Sequence, residues 1–323
     1  MMKERRQESS VYGRSIRRIL QVTVALTVIF VILLLQLFLP VRSLLPAYNI
    51  TPRGEGELRL HFLDVGQGDC TVVEFPDGSL LVVDAGDGGR RHSDRVYRYL
   101  KELKAGNPIV LATHADADHC GGLADVIRRY NADMVYLPAV GSGSAYQKFL
   151  KSVQRAGCKQ KVIARYDTIV RGGAYAVCIS PASQEDTGGD DGSAVLYLSY
   201  AGVNVLLCGD ISERRERTLA GEYTLDETLF DSGQYRVRLR ETNVLKVSHH
   251  GSANASCEPF LELLGAETAI ISCGRGNVYG HPAAEALERL GRRVNELYRT
   301  DELGDIMITI SPDGTYRTEY GYL

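Results

Sequence analysis

Two histidines and two aspartates fall within six consecutive positions, at His114, Asp116, Asp118 and His119. They follow the apolar run Ile109–Ala112, which predicts a strand that ends and releases these side chains into a loop. Imidazole and carboxylate are donors that divalent metal ions take, and a cation would offset the clustered carboxylates. The alternative is a solvated loop in which Asp118 caps the next helix, but a cap needs one carboxylate and no histidine. The stretch therefore favours a metal site.

Four further segments place similar side chains at the ends of apolar strands. Asp84 follows Leu81–Val83, Asp210 follows a second apolar run, and the pair His249 and His250 follows a third. His281 stands before a proline that opens a predicted helix. One such strand end is typical of a turn or a helix cap. Several strand ends at one edge of a sheet system would instead build a cleft.

The predicted secondary structure that must position these residues changes along the chain, from strands alone to strands that alternate with helices. Apolar segments at Leu58–Val65, Thr71–Phe75 and Leu80–Asp84, separated by turn sequences, predict a β-meander. Strands then alternate with helices, and the polar stretch Glu222–Glu241 is interpreted as a long loop. This order predicts an α+β protein with two packed sheets covered by helices on their outer faces.

Composition sets limits on function. The 323 residues are 44% hydrophobic and 24% charged, which is typical of a chain that mostly folds. The net charge of −3 argues against a broad basic surface that would grip nucleic acid through counterion release. The seven cysteines form no CxxC pair, and several lie in apolar runs, so they are interpreted as small buried side chains.

The N-terminal sequence predicts a membrane anchor. The 21 residues from Ile19 to Leu39 carry no charge, and about 20 apolar residues span a bilayer as a helix. Basic residues precede this run, so the predicted order is a cytoplasmic tail (1–18), a single transmembrane helix (19–39), a linker (40–56) and an extracytoplasmic domain (57–323). A cleaved signal peptide is the alternative.

Several motifs together resemble those of the metallo-β-lactamase superfamily. They are HADADH followed by two glycines, then GD at 209–210 and HHGS at 249–252. The segments FLDVGQGD (62–69), YGHP (279–282) and YRTD (298–301) resemble in particular the C-terminal hydrolase domain of ComEC competence proteins. Over about residues 58–320, this resemblance implies an αββα sandwich and a metal-dependent hydrolase.

Carried over to this sequence, the resemblance implies two divalent metal ions. One would lie on His114 and Asp116, and the other on Asp118, His119 and His249. Asp210 would bridge both ions. The resemblance also implies a role in catalysis for Asp118 and Asp210, and a supporting role for Asp84, which would orient ligands.

The sequence departs from the wider superfamily at the first metal. No histidine lies between His119 and His249, where the superfamily usually has a further ligand. Asp190, Asp191 or Ser193 could supply oxygen instead, and Asp191 is the predicted supporting residue. An oxygen-rich first site would be weak and would favour Mn²⁺ or Mg²⁺ over Zn²⁺. Two ions, of manganese or zinc, with one weakly bound, are therefore the predicted cofactors.

Further residues are candidates on the substrate side. His250 or His281 could protonate a leaving oxygen or hold a phosphate, and Ser252 lies in a turn whose backbone N–H groups suit an anion. Gln67 and Asp69 are predicted to line the cleft, although a plain hairpin is the alternative. His281 could equally be a capping residue before its helix.

These inferences converge on a membrane-anchored hydrolase that cleaves phosphodiesters in DNA or nucleotides. A bridging hydroxide between paired metals suits that reaction. Two alternatives are a lactonase or β-lactamase-type hydrolase and a non-catalytic envelope or DNA-uptake component with a structural metal. A separate channel subunit is a possible partner.

Overall fold

The computed structural model describes residues 20–28, 30–31, 50–181, 189–225 and 230–321. The chain divides into two compact units, Met1–Ala47 and Tyr48–Leu323. All of the chemistry-bearing residues named above belong to the second unit.

The first unit corrects the prediction of a membrane anchor. Its described residues, 20–28 and 30–31, are helical (α1) and exposed. Within the described residues, no helix has both the length and the apolar content that a membrane crossing requires. The predicted transmembrane helix and the extracytoplasmic location that depended on it are therefore wrong by this finding. The tail 1–18, most of the second half of 19–39 and residues 40–49 of the linker lie outside the described residues.

The second unit contains, within its described residues, an eight-stranded and a seven-stranded sheet. The strands of the first sheet, in the order in which they lie side by side, are β17 (Tyr316–Tyr320), β16 (Ile306–Ile310), β1 (Leu58–Phe62), β2 (Thr71–Glu74), β3 (Leu80–Val83), β4 (Ile109–Leu111), β5 (Met134–Leu137) and β6 (Gln160–Val162). The pairs from β17 to β3 are antiparallel, and those from β3 to β6 are parallel. The predicted meander is therefore the antiparallel half of this sheet.

The second sheet has the same mixed character. Its strands, again in spatial order, are β15 (Glu296–Arg299), β14 (Thr268–Ile271), β13 (Val244–Lys246), β10 (Val203–Leu207), β9 (Val195–Tyr200), β8 (Ala174–Ser180) and β7 (Thr168–Arg171). The pairs from β15 to β10 are parallel, and those from β10 to β7 are antiparallel. A separate short hairpin joins β11 (Phe230–Asp231) to β12 (Arg236–Val237).

Helices cover the outer faces of both sheets. Their bounds are α2 (Arg90–Glu102), α3 (Ala117–Cys120), α4 (Leu123–Arg129), α5 (Ser144–Ala156), α6 (Glu213–Leu225), α7 (Glu258–Leu264), α8 (Ala284–Gly291) and α9 (Thr300–Leu303). One apolar core lies between the sheets, a second joins α2, α4 and α5 to the first sheet, and a third joins α6, α7 and α8 to the second. This arrangement is the predicted sandwich of two sheets between helical layers.

The remaining differences from the sequence interpretation concern polar segments. Residues 222–241, interpreted as a loop, contain the end of α6 and the β11–β12 hairpin, while 226–229 lie outside the description. Strands β7 and β17 were not expected. Both are edge strands with mostly half-buried or exposed side chains, such as Arg317 and Glu319 in β17, so they lack the apolar runs that marked the central strands.

Candidate metal centre

Asp84 organises the loop that carries the histidine-aspartate stretch. It follows β3, is buried, and its carboxylate accepts hydrogen bonds from the Thr113 backbone N–H (2.9 Å) and the Thr113 hydroxyl (2.6 Å). It also lies 2.9 Å from Nδ1 of His119. A carboxylate at Nδ1 fixes the imidazole so that its Nε2 lone pair points the other way, as metal-binding histidines require.

Four side chains meet where the Nε2 atom of His119 points. This group, called the buried cluster, consists of Asp118, His119, Asp210 and His250. One carboxylate oxygen of Asp210 lies 3.1 Å from His119 Nε2 and 3.2 Å from His250 Nε2. The two Nε2 atoms are 3.3 Å apart, and Asp118 lies 3.5 Å from that of His250. Donors from His119, Asp210 and His250 thus converge on one point, and Asp118, which is 31% exposed, approaches them at His250.

The buried cluster draws on both sheets. Asp118 and His119 belong to α3, which follows β4 of the first sheet, whereas Asp210 follows β10 and His250 follows β13 of the second. Strands β10 and β13 are parallel neighbours, so the loops at their carboxyl ends lie side by side. The His249 backbone N–H donates to the Gly209 carbonyl (3.1 Å), which holds these two loops together.

A buried ion pair lies behind the histidine rings. The ammonium group of Lys246, the last residue of β13, contacts a carboxylate oxygen of Asp69, and both side chains are buried. The other Asp69 oxygen is 3.4 Å from Nδ1 of His250, which also lies 2.9 Å from the Ser272 carbonyl oxygen. A donor atom of Asp69 lies within 4.8 Å of donors from His119, Asp210 and His250. Its contacts are on the Nδ1 side of the rings, however, so Asp69 orients the ligands from behind.

Three further side chains form a second group beside the first. A donor atom from each of His114, Asp116 and Asp190 lies within 4.8 Å of the others, and this group is called the rim cluster. His114 is buried, Asp190 is half-buried and Asp116 is exposed. The rings of His114 and His119 have centroids 4.2 Å apart, so the rim cluster and the buried cluster are neighbours.

Two unpaired atoms test whether these residues fit metal ions. Nε2 of His114 and Oδ1 of Asp210 are buried, and neither has a hydrogen-bond partner within the residues that the structure describes. A buried polar atom left unpaired costs about 1–3 kcal/mol. Divalent cations held by the two clusters would give both atoms a partner. The donor sets therefore fit two metal ions.

The electrostatics of the buried cluster lead to the same conclusion. Burial would lower the pKa of His119, but Asp210 and Asp84 outweigh it and hold that pKa well above its ordinary value. Burial would also lower the pKa of His250, but Asp210, Asp118 and Asp69 outweigh it and raise that pKa well above its ordinary value. The carboxylates thus create a strongly negative potential at the Nε2 atoms, which a divalent cation would neutralise.

The two histidines that follow β13 lie differently from the sequence expectation. His250, expected on the substrate side, is buried and belongs to the buried cluster. His249, expected to be a metal ligand, is 26% exposed, and its ring nitrogens lie 4.0 Å from both Asp190 and Asp210. His249 therefore stands between the two clusters and faces outward.

The two aspartates between β8 and β9 are adjacent in sequence, but their side chains contact different residues. Asp190 joins the rim cluster, whereas Asp191 accepts a hydrogen bond from the Ser212 backbone N–H (2.8 Å) and pairs with Arg214 (2.7 Å). Both lie in a short 3-10 helix, Gly189–Gly192, whose tight turn separates their side chains. Of the two, Asp190 is thus the one that faces the metal centre, and Asp191 secures the start of α6.

The remaining candidate site residues differ in how deeply their side chains are buried. His281 is half-buried, with ring centroids 5.5 Å from His249 and 6.4 Å from His250. Gln67 accepts a hydrogen bond from the Gly274 backbone N–H (3.2 Å) and lines a neighbouring cavity. Ser252 is buried, with its hydroxyl accepting from the Asn254 backbone N–H (3.3 Å). His281 and Gln67 therefore border open space, while Asp69 and Ser252 do not.

Sequence reasoning missed Lys246 and Glu216. Glu216 is buried in α6 and accepts hydrogen bonds from the Ser248 hydroxyl (2.7 Å) and from the backbone N–H groups of Ser256 (2.8 Å) and Cys257 (2.7 Å). It thereby anchors the loop that carries both histidines. The sequence signal for Lys246 was present, because a lysine inside an apolar strand needs a buried partner. Glu216 lies in an otherwise polar helix and carried no such signal.

Gly68 allows the Gly66–Asp69 turn to pack directly on α3. Its φ is +129°, and a Cβ there would lie 2.2 Å from the Asp118 carbonyl oxygen, which accepts the Asp69 N–H. We expect Gly68→Ala to lower the free energy of unfolding by about 3 kcal/mol and to weaken metal binding, because Asp118 must shift. Gly202→Ala is the matched control, since Gly202 also has a positive φ (+83°) but no neighbour within 4 Å, and we expect it to cost about 1 kcal/mol. Equal losses of stability in urea unfolding would contradict the argument from close packing.

The fold and the donor set define a class of protein. A profile of the metallo-beta-lactamase superfamily matches residues 63–275. The chain therefore belongs to that superfamily.

Individual relatives refine this assignment. ComE operon protein 3 of Bacillus subtilis (strain 168) is 26% identical over 271 residues, covering 78% of this chain and 33% of the relative. Recombination protein 2 of Haemophilus influenzae is 24% identical over 255 residues, covering 78% and 29%. The chain thus spans about a third of the length of these curated relatives. The resemblance to competence proteins that the motifs indicated is confirmed.

Among solved structures, the metallo-beta-lactamase fold protein YhfI from Bacillus subtilis is similar to this chain. The TM-score is 0.46 at 10% sequence identity, and the similarity covers 81% of this chain and all of that one.

Proposed function

We propose that this protein is a metal-dependent phosphodiesterase that acts on DNA or nucleotides. The observation that carries the proposal is the position of Asp210, which has one oxygen 3.1 Å from His119 Nε2 and 3.2 Å from His250 Nε2 and a second oxygen that is buried and has no hydrogen-bond partner among the described residues. Paired metal ions clamp the attacking and leaving oxygens of an in-line displacement, which suits a phosphodiester. Recombination protein 2, one of the two relatives, is named for recombination, which supports a nucleic acid as the substrate.

The residues present would hold the two ions unequally. Asp118, His119, Asp210 and His250 would bind one ion with two imidazoles and two carboxylates. His114, Asp116 and Asp190, with the second oxygen of Asp210, would bind the other with a single imidazole. Oxygen donors suit Mn²⁺ or Mg²⁺ better than Zn²⁺, so the rim cluster is proposed to take manganese and to bind it weakly.

The chain's own groups would orient the reaction. When bound, the two ions would lower the pKa of a water molecule and offset the negative charge on the phosphoryl oxygens. Asp84 holds the His119 ring, and Asp69 with the Ser272 carbonyl holds that of His250, so the two Nε2 atoms stay aligned. His249 and His281 stand at the open side with ring centroids 5.5 Å apart, where either could donate a hydrogen bond to a phosphoryl or leaving oxygen.

Hydrolysis of bis(p-nitrophenyl) phosphate by the full-length chain tests the proposal. We expect turnover with Mn²⁺, and a loss of more than about 100-fold in Asp210→Asn, since this residue serves both clusters and outer partners alone are worth 10- to 100-fold. Asp191→Asn is the control, because Asp191 lies outside both clusters. Cleavage of a lactone or carbonyl ester with Zn²⁺, without cleavage of the phosphodiester, would select the carbonyl hydrolase instead. Absence of turnover with any divalent ion would favour a non-catalytic metal protein.

A further inference from the structure

The loop between β14 and α8, residues 274–282, presents two apolar side chains to solvent. Val278 is 93% exposed and Tyr279 is 66% exposed, the highest values for large hydrophobic residues in the described part of the chain. Adjacent exposed side chains of this kind mark binding sites more often than isolated ones do. The ring of Tyr279 lies next to that of His281, with centroids 5.9 Å apart, and His281 borders the candidate metal centre.

Hydrogen bonds hold this loop in place. The carboxamide oxygen of Asn277 accepts from the backbone N–H groups of Tyr279 (3.1 Å) and His281 (3.0 Å), while its nitrogen donates to the carbonyl oxygens of Gly274 (2.9 Å) and His281. At the end of the loop, the Ala283 N–H donates to the Gly251 carbonyl (2.8 Å), next to His250. The exposed tip is therefore fixed relative to the buried cluster.

A series of rings leads from the buried cluster to the tip of the loop. The rings of His250 and His281 are 30° from parallel with centroids 6.4 Å apart, and those of His281 and Tyr279 are 27° from parallel with centroids 5.9 Å apart. One face of the Tyr279 ring is covered by His281, while the side chain as a whole stays mostly exposed. A flat group could stack on the free face.

The other side of the same loop borders a cavity of about 580 Å³. Its acidic residues are Asp64, Asp301 and Glu302, and the last two each lie 2.8 Å from the guanidinium of Arg299, which offsets one of their two charges. The side chain of Arg91, in contrast, is exposed and makes no ion pair or hydrogen bond with the residues that the structure describes. Nε of Arg275 donates a hydrogen bond to the backbone carbonyl of Asp301. This contact does not pair the positive charge of Arg275 with a carboxylate. The cavity wall thus carries two guanidinium groups, those of Arg91 and Arg275, that form no ion pair with the residues that the structure describes.

We propose that Tyr279 stacks on a nucleobase of the substrate, next to the phosphodiester held at the metal centre. This proposal rests on the proposed function and makes the substrate more specific. It assigns a base-binding position that a simple phosphodiester without a base would not use. Stacking is sequence-tolerant because every base has a π-face. A base on Tyr279 and backbone phosphates near Arg91 and Arg275 would place a nucleotide strand across the centre.

Binding of an oligonucleotide that carries 2-aminopurine tests this proposal, because stacking quenches the fluorescence of that base. The measurement uses the full chain with Mn²⁺, which keeps Asp210 and the other donors intact, and records the fluorescence by stopped flow before cleavage proceeds. We expect Tyr279→Ala to weaken binding by about 5- to 100-fold and to lose quenching, since stacking on one aromatic residue is worth that much. Tyr279→Phe should stay within about threefold of the parent, because it keeps the ring.

Tyr320→Ala is the matched control. Tyr320 is also exposed (53%) and also contacts another ring, that of Tyr298, but it lies on the edge strand β17. Binding and quenching that are unchanged in Tyr279→Ala would overturn the proposal, as would an equal loss in Tyr320→Ala. Loss of self-association in Tyr279→Ala, without any effect on oligonucleotide binding, would assign the tip to a second copy of the chain. Failure of the proposed function is distinguishable, because it would appear as absent turnover of bis(p-nitrophenyl) phosphate, which this binding measurement does not require.

Discussion

Replacing His250 by alanine should weaken metal binding by more than about 100-fold, whereas replacing its neighbour His249 should weaken it by about tenfold or less. The reason is the position of each ring. His250 Nε2 lies 3.2 Å from Asp210 and 3.3 Å from His119 Nε2, inside the buried cluster. His249 is 26% exposed and 4.0 Å from Asp210. Calorimetric titration of the metal-free chain with Mn²⁺ or Zn²⁺ measures the difference.

The adjacent histidine is the control for this prediction, because both variants change the same loop. Urea unfolding of the metal-free variants shows whether either one fails to fold. A larger loss of metal affinity in His249→Ala than in His250→Ala would contradict the assignment of ligands and would favour the arrangement expected from sequence.

Lys246→Met should lower the free energy of unfolding by about 3–5 kcal/mol, because it leaves the Asp69 carboxylate buried without its partner. Burial would lower the pKa of Lys246, but Asp69 and Asp210 outweigh it and raise that pKa, so the lysine is charged. Burial would likewise raise the pKa of Asp69, yet Lys246 and His250 hold it well below its ordinary value. The two charges therefore depend on each other. Urea unfolding at neutral pH measures the loss.

Two further variants make this prediction specific. Lys246→Met combined with Asp69→Leu should recover most of the lost stability, because an apolar pair replaces the buried ion pair, but should not recover full metal affinity, because His250 loses a partner at Nδ1. Lys161→Met removes an exposed partner of Asp167 (2.6 Å, with Lys161 52% exposed) and should cost no more than about 1 kcal/mol. A double variant as unstable as Lys246→Met alone would refute the role given to the ion pair.

The sequence was sufficient to predict the sandwich and the segments whose ends form the candidate metal centre. Apolar strands that end in Asp84, Asp210 or a histidine are visible in the residue pattern, and parallel strands place such ends together. The order of the two histidines could not be predicted in this way. His249 and His250 both adopt left-handed backbone angles, with φ of +49° and +54°, which non-glycine residues rarely adopt and which no residue pattern marks.

A similar limit applies to Asp190 and Asp191. Whether one or the other faces the rim cluster depends on the rotation of a single 3-10 turn, and adjacent aspartates give no signal of that rotation. The N-terminal prediction was wrong for a different reason. A long apolar run satisfies the length rule for a membrane helix, but no helix among the described residues has the length and apolar content of a membrane span.

The origin of the donors on two different sheets has a consequence for when the protein can act. Asp118 and His119 come from the first sheet, whose strands β16 and β17 are synthesised after every strand of the second sheet, and Asp210 and His250 come from the second. A chain that has formed one sheet without docking the other holds only half of the ligands. Metal binding should therefore report on the docking of the two sheets, which is a late event of maturation, and a partly folded molecule would lack the complete set of donors.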